Sequence, residues 1–194
     1  MTSTNLSQRR IEELMHEHIE IVPYDAQWPL RYAAIEAKLV RSLPPDLVIR
    51  MAHIGSTAVP GLSAKPVIDV QVEVTHLDRV RREVVPIMLD LGYEFIWRPS
   101  IGEHTPFYAW FIKRDERGQR TQHVHMVEPD AASEDRILFR DALRRWPEEA
   151  GRYEELKKTL VQRYPDDRKA YTESKSDHIR RVVARARAHN PSTP

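Results

Sequence analysis

The chain has no cysteine among its 194 residues. That excludes disulfides, thiolate catalysis and cysteine-held zinc or iron–sulfur centres, so any metal must be held by His, Asp, Glu or water. It also lacks an apolar run near the ~20 residues that a membrane-spanning helix requires. The polar stretch at residues 1–10 leads into no apolar segment, so a cytoplasmic protein without membrane contact is expected. Excess charge is missing too: 30 Lys and Arg face 29 Asp and Glu for a net charge of +1, and nothing in that balance points to nucleic acid. What is present is 41% hydrophobic and 30% charged residues, enough for one domain with a core of its own.

The chemistry concentrates between residues 47 and 74. Residues 47–52 read as a β-branched strand that ends at Gly55-Ser56, where a small residue lets the backbone turn close to a ligand. A second strand over 66–74 alternates, with Val67, Asp69, Gln71 and Glu73 on one face and Ile68, Val70, Val72 and Val74 on the other. A Gly-Ser turn followed after about a dozen residues by an acidic strand resembles the pattern of the nucleotidyltransferase fold. There, main-chain amides and the Ser hydroxyl hold a triphosphate, and carboxylates two apart grip divalent metal. In this chain Gln71 stands where the second acid is expected and brings an oxygen without charge. Gly55, Ser56 and Thr57 are the phosphate-cradle candidates, and Lys65 could neutralise a phosphate. His53 is expected to pack behind the turn. Glu73, about 13 Å along the strand from Asp69, is too far to share a metal with it.

The rest of the chain reads as support. Residues 1–18 form a tail and a short helix capped by Ser7 with Ile11, Leu14, Met15 and His18 on one side, 19–25 an extended segment, and 28–43 a helix burying Tyr32, Ile35, Leu39 and Leu43. A helix over 78–91 carries a kinking Pro86, and strands follow at 93–97, 107–113 and 121–127, with a loop at 98–106 and a hairpin turn at 115–118. From Ser133 the pattern is helical, with helices to about Trp146 and from Pro147 to about Tyr164, and a last one from about Glu173 whose Arg180, Arg181, Arg185 and Arg187 form a solvated face. Residues 190–194 are a tail. The sum is an α+β domain over 19–189: a mixed sheet of about five strands, helices packed on one side, and C-terminal helices from about 133.

Further pieces then join the central element: Val22-Pro-Tyr-Asp-Ala-Gln-Trp28, His123-Val-His-Met-Val-Glu-Pro129, Phe139-Arg-Asp141 and Asp167-Arg-Lys-Ala-Tyr-Thr-Glu-Ser-Lys175. With His53-Ile-Gly-Ser-Thr-Ala-Val-Pro-Gly-Leu62, Lys65-Pro66 and Ile68-Asp69, in this order, they closely resemble the GrpB family over about residues 19–185. The resemblance implies the nucleotidyltransferase fold and a link to dephospho-CoA kinase domains, to which members are sometimes fused. Within that fold a further metal-binding position lies on a later strand, and His123 and His125 match it. Asp69, His123 and His125 are therefore the expected metal ligands, with Mg or Mn implied by the fold and Zn or Fe suited to imidazole. Arg98, His104, Arg140, Tyr171 and Lys175 are expected to line the cleft, Tyr171 and Lys175 together on one helical face; Asp141 reads as an ion-pair partner. The expected ligand is a nucleoside triphosphate or a CoA-related small molecule, and the expected activity is nucleotidyl transfer to a small acceptor. The alternatives are a non-catalytic nucleotide or coenzyme module, or a metal enzyme of another class.

Overall fold

In the computed structural model, residues 8–98 and 108–189 are described. Arg98 closes a strand and its side chain, like His104 and the predicted cap Ser7, lies outside what is described. Helices α1 (Gln8–Met15) and α2 (Trp28–Ser42) precede strand β1 (Val48–Ile54) and a single 3-10 turn, Ser56–Ala58. Strand β2 (Ile68–Val74) follows, then a helix in three pieces: α3 (Leu77–Arg79), a wide π turn (Val80–Val84) and α4 (Val85–Asp90). Pro86 sits in the first turn of α4. It has no N–H and its ring crowds the carbonyl four residues back, so the wide turn before it takes up the kink expected at proline. Strands β3 (Tyr93–Arg98), β4 (Tyr108–Arg114) and β5 (Arg120–Val127) complete the sheet in the order β1-β2-β5-β4-β3. All pairs are antiparallel except β2 with β5.

The predicted alternation of β2 decides what each face does. Ile68, Val70, Val72 and Val74 join Trp28, Ile35 and Leu39 of α2 and Val80, Val84 and Met88 in the main core. Burying apolar side chains on this scale is the dominant favourable contribution to the fold. The other face is covered by α1 and by the first of the expected C-terminal helices. Leu14 of α1 packs on Ile96 and Ile112 of the other face, and α5 (Ala131–Arg145) crosses that face above Gln71. The reason is chemical: a face bearing Asp69, Gln71, Glu73 and two histidines needs partners that can hydrogen-bond, and the later helices supply them.

Gln71 illustrates this. It is 1% exposed, its amide donates to the Ser133 carbonyl (3.0 Å) and to Glu73 Oε1 (3.1 Å), and its oxygen accepts from Arg136 (3.2 Å). The oxygen expected to face a ligand in place of the second acid thus belongs to a buried strut that fixes Arg136. Glutamate at this position has no N–H to give and would turn oxygen against two acceptors. Gln71→Glu is expected to cost about 2–4 kcal/mol, seen as a lower urea midpoint; unchanged stability would contradict the strut.

Helix α5 begins at Ala131, not at Ser133, because Asp130 is the cap: its carboxylate accepts from Ser133 N at 2.7 Å while Ser133 Oγ receives Asp130 N–H. Helix α6 (Pro147–Arg163) follows. The last helix expected from about Glu173 is α8 (Ser176–His189); a short helix not expected from the sequence, α7 (Arg168–Glu173), capped by Asp167, precedes it, the two parted at Ser174-Lys175. The loop after β1 packs through Val59 and Leu62 on Ala142, Tyr153, Val182 and Ala186, so α5, α6 and α8 form a second small core beside the sheet. The arginine face of α8 is ion-paired rather than merely solvated: Arg185 meets Glu149 at 3.0 Å and Arg187 meets Asp135 at 2.6 Å.

The segment between α1 and α2 is strapped down at several points. Glu17 receives Arg114 (2.5 Å) and Arg120 (2.6 Å), and Arg168 donates to the carbonyls of Glu17 and His18. Ile19 N–H reaches the Pro165 carbonyl, and Val22 bridges to Ala64. Among the described residues, no helix is long and apolar enough to cross a membrane.

Candidate functional site

The parallel pairing of β2 with β5 sets Asp69 beside His123 and Gln71 beside His125. His125 lies two residues further on the same face of β5, so both imidazoles converge on one carboxylate. Asp69 Oδ1 is 3.0 Å from His123 Nδ1 and 3.5 Å from His125 Nε2. Among the described residues these three offer ligand atoms all within 4.8 Å of one another. Two donors bound to one ion at ~2.1 Å each and roughly at right angles stand about 3 Å apart, so the separations suit a shared cation. Burial pulls His123 down to about 4, against the opposing effect of the Asp69 hydrogen bond. Asp69 lies well below the ordinary carboxylate range: burial opposes this, but bonding to both imidazoles outweighs it. At neutral pH that leaves an ionised carboxylate and a neutral imidazole, the forms that bind metal. His123 Nε2, the other ring nitrogen, is buried with no hydrogen-bond partner.

Gly55 is what admits the carboxylate. A Cβ at this position would lie 2.6 Å from Asp69 Oδ2, and φ is +71°, so glycine is required both by conformation and by space. Behind the turn His53 stacks on Tyr32 (centroids 4.8 Å, 4°) and meets Thr57 Oγ1 at 3.0 Å, as the position behind the turn implies. Burial lowers His53 to about 4. Thr57 Oγ1 donates on to the Val67 carbonyl. The Thr57 hydroxyl is therefore committed to the protein, while Ser56 stands beside Tyr153 in the cavity wall.

Asp69, Gly55, Ser56 and Thr57 line a cavity of about 530 Å³ roofed by α5–α8. This is within the size range of ligand sites. Lys65 and Lys175 line it, and their ammoniums lie 5.6 and 4.2 Å from the ring centroid of buried Tyr171. Tyr171 and Lys175 were expected on one helix face. The break between α7 and α8 intervenes, yet both reach the cavity, because Lys175 N–H still bonds to the Thr172 carbonyl. A third lysine, Lys157 of α6, is 2% exposed, donates to the Ser63 carbonyl and also lines the cavity. Sequence reasoning missed it, although Tyr153, Lys157 and Leu160 fall at helical spacing on one buried face, and a lysine in such a stripe is the available signal. Arg136, also missed, lines the same wall. Arg140 does not: it pairs with Asp141 at 2.8 Å and donates to the His53 carbonyl, outside the cavity.

Burial lowers Lys65 to about 8 and Lys157 to about 7, and pulls Lys175 well below its usual range; neighbouring cations depress them further, Arg168 and Arg120 for Lys65, Lys65 and Lys158 for Lys157, and Lys65 and Lys157 for Lys175. Three crowded ammoniums favour an anion that would relieve their repulsion. The sign for stability follows. Between the folded value of about 7 for Lys157 and its ordinary 10.5, the unfolded chain binds a proton that the folded chain refuses, so stability rises with pH across that window. Lys65 and Lys175 act in the same direction. In anion-free buffer the urea midpoint is expected to climb between about pH 7 and pH 9 and to climb less steeply in Lys157→Met. A profile equally steep in the variant would contradict the assignment.

Known proteins share this outline. The profile of the family described as GrpB protein matches residues 18–185. A UPF0157 protein of Pseudomonas aeruginosa is 40% identical over 172 residues, covering 89% of this chain and 69% of that protein. The crystal structure of conserved protein GrpB from Enterococcus faecalis superposes with a TM-score of 0.71 at 30% identity, over 86% of this chain and 96% of that one. A dephospho-CoA kinase of Mycolicibacterium paratuberculosis is 32% identical over 128 residues, which cover 64% of this chain and 28% of that protein.

Proposed function

This chain belongs to the GrpB family, and from that premise we propose that it is a metal-dependent nucleotidyltransferase, moving a nucleotidyl group from a nucleoside triphosphate to a small acceptor. The observation that carries the reading is the meeting of the Asp69–His123–His125 group with a lysine-lined cavity at one carboxylate. Asp69, His123 and His125 would hold the divalent ion, Mn, Zn or Fe being better suited than Mg to two imidazoles. Bound there, the ion would supply positive charge to the α-phosphate. Lys65, Lys157 and Lys175 hold the β and γ phosphates, the turn at Gly55-Ser56 orients them, and the helical roof excludes water, so that the protein contributes positioning and charge.

Incubation with Mn and each nucleoside triphosphate, across an acceptor panel that includes CoA and dephospho-CoA, is expected to release pyrophosphate. Silence with every triphosphate sinks the reading. The double variant His123→Ala, His125→Ala is expected to weaken Mn or Zn binding by roughly a hundredfold; unchanged affinity withdraws the ligand assignment.

A second reading is favoured by Gln71. With the second acid replaced by a buried strut, the cavity would bind a nucleotide or a CoA-related molecule without turning it over. Its signature is a nucleotide-induced rise in melting temperature, about 2.7 kcal/mol of stabilisation at a hundred times Kd, with no pyrophosphate.

A further inference from the structure

A second cavity, of about 320 Å³, lies on the other side of Asp69. Its lining includes Lys65, Asp69 and Lys175, the same three side chains that line the first. The two spaces therefore meet at the carboxylate and the two lysines. His123 and His125 line the second and not the first, so the imidazoles of the metal-ligand candidates are seen from this side. A transferase that joins two substrates needs two compartments facing one reacting centre; the triphosphate shares only the junction of the two, Asp69 with its histidines, Lys65 and Lys175, and leaves the Tyr108, Trp110 and Thr172 side of the second space for another group.

The walls say what fits. Trp110 and His125 are nearly parallel, 12° apart with centroids at 6.1 Å, and Tyr108 stands at 5.6 Å from His125. The parallel Trp110 and His125 rings, with Tyr108 inclined at 49° to His125, give a polarisable aromatic floor suited to a planar unsaturated body. Facing them are Thr172 and Lys169 of α7, and Lys65 and Lys175 lie at the junction. Glu173 is the cavity's other carboxylate, and it lies 4.0 Å from Lys169. The balance of charge around the floor is positive, which favours an anionic substituent.

Resting on the transferase reading, we propose that this second cavity is the acceptor subsite, and that the acceptor is a small planar or aromatic acid carrying a nucleophilic hydroxyl. In the transfer the acceptor oxygen forms a bond to the α-phosphorus as the bond from that phosphorus to the β-bridging oxygen breaks. Pyrophosphate departs with the electron pair, and the acceptor's proton goes to water.

The test uses the full chain without metal or nucleotide, with 4-hydroxybenzoate as the probe and cyclohexanecarboxylate as a non-planar control. Binding is read from the indole NMR resonance of Trp110, assigned with Trp110→Phe. 4-Hydroxybenzoate is expected to bind in preference to the control and to remain bound when triphosphate is added. Thr172→Trp, a change at an exposed position on α7 that fills the cavity from its roof, is expected to weaken the probe by at least roughly tenfold while leaving triphosphate affinity unaltered. The proposal is overturned by equal binding of the control, by displacement of the probe by triphosphate, by undiminished binding in Thr172→Trp, or by no saturation with 4-hydroxybenzoate at millimolar concentration. Because the probe is read without nucleotide, the two failures are separable. Loss of probe binding with pyrophosphate release intact removes the subsite alone, whereas absence of release with the probe seated removes the reaction and the acceptor role together.

Discussion

Replacing Gly55 by alanine is expected to lower stability by about 2–4 kcal/mol and to abolish metal binding in what remains folded. Two effects act together. The backbone at Gly55 has φ +71°, a left-handed conformation that costs an L-residue roughly 1–2 kcal/mol. The new methyl would also sit 2.6 Å from Asp69 Oδ2, well inside contact distance, and the carboxylate cannot retreat without giving up His123 at 3.0 Å. Gly61 provides the internal control: its φ is +79°, but nothing lies within 4 Å of a Cβ there. Gly61→Ala should therefore show the conformational cost alone, about 1 kcal/mol, and keep the metal. Urea unfolding of the two variants side by side reads the difference, and equal losses would mean that the approach of Gly55 to Asp69 is not what the position is for.

Asp69→Asn should do the reverse, leaving the fold standing while metal affinity falls by roughly a hundredfold or more. The amide is nearly isosteric, and its oxygen can still accept from His123 Nδ1, so packing under Gly55 is kept. What disappears is the negative charge that a divalent ion requires and that offsets Lys65 and Lys175. Titration calorimetry with Mn and Zn measures the loss, and near-native melting shows that it is local. Native affinity in this variant would place the ion elsewhere and remove the premise of the transfer chemistry.

The parts of this design that were legible in the sequence are those written in local rules. Period-two alternation placed Asp69 on the face opposite Val70 and Val72, and His123 and His125 together on a later strand, because side-chain direction in a strand is fixed by parity. A Gly-Ser turn can be recognised because few residues tolerate the conformation it needs. The illegible parts depend on tertiary partners. Gln71 looked like a ligand because it shares parity with Asp69, and only the arrival of α5 turns its amide toward Ser133. Lys157 sits in Glu-Glu-Leu-Lys-Lys, a run that reads as solvated helix until Ser63 is brought to it. The break at Ser174-Lys175 has no proline or glycine to announce it. Arg140 lay close to the cleft in sequence order, but its helix directs it to the back of the Gly55 turn.

The strap at Glu17 to Val22 bears on how the molecule is born. It is held from one side by Arg114 and Arg120 of the sheet and from the other by Pro165 and Arg168. As the chain leaves the ribosome, all five strands have emerged before residue 130, while the groups that fasten this segment to the helical roof come some forty residues later. The residues that bring Asp69 and its histidines together are thus all synthesised before those that cover them, and the walls of the compartment are complete only once Arg180 has been added.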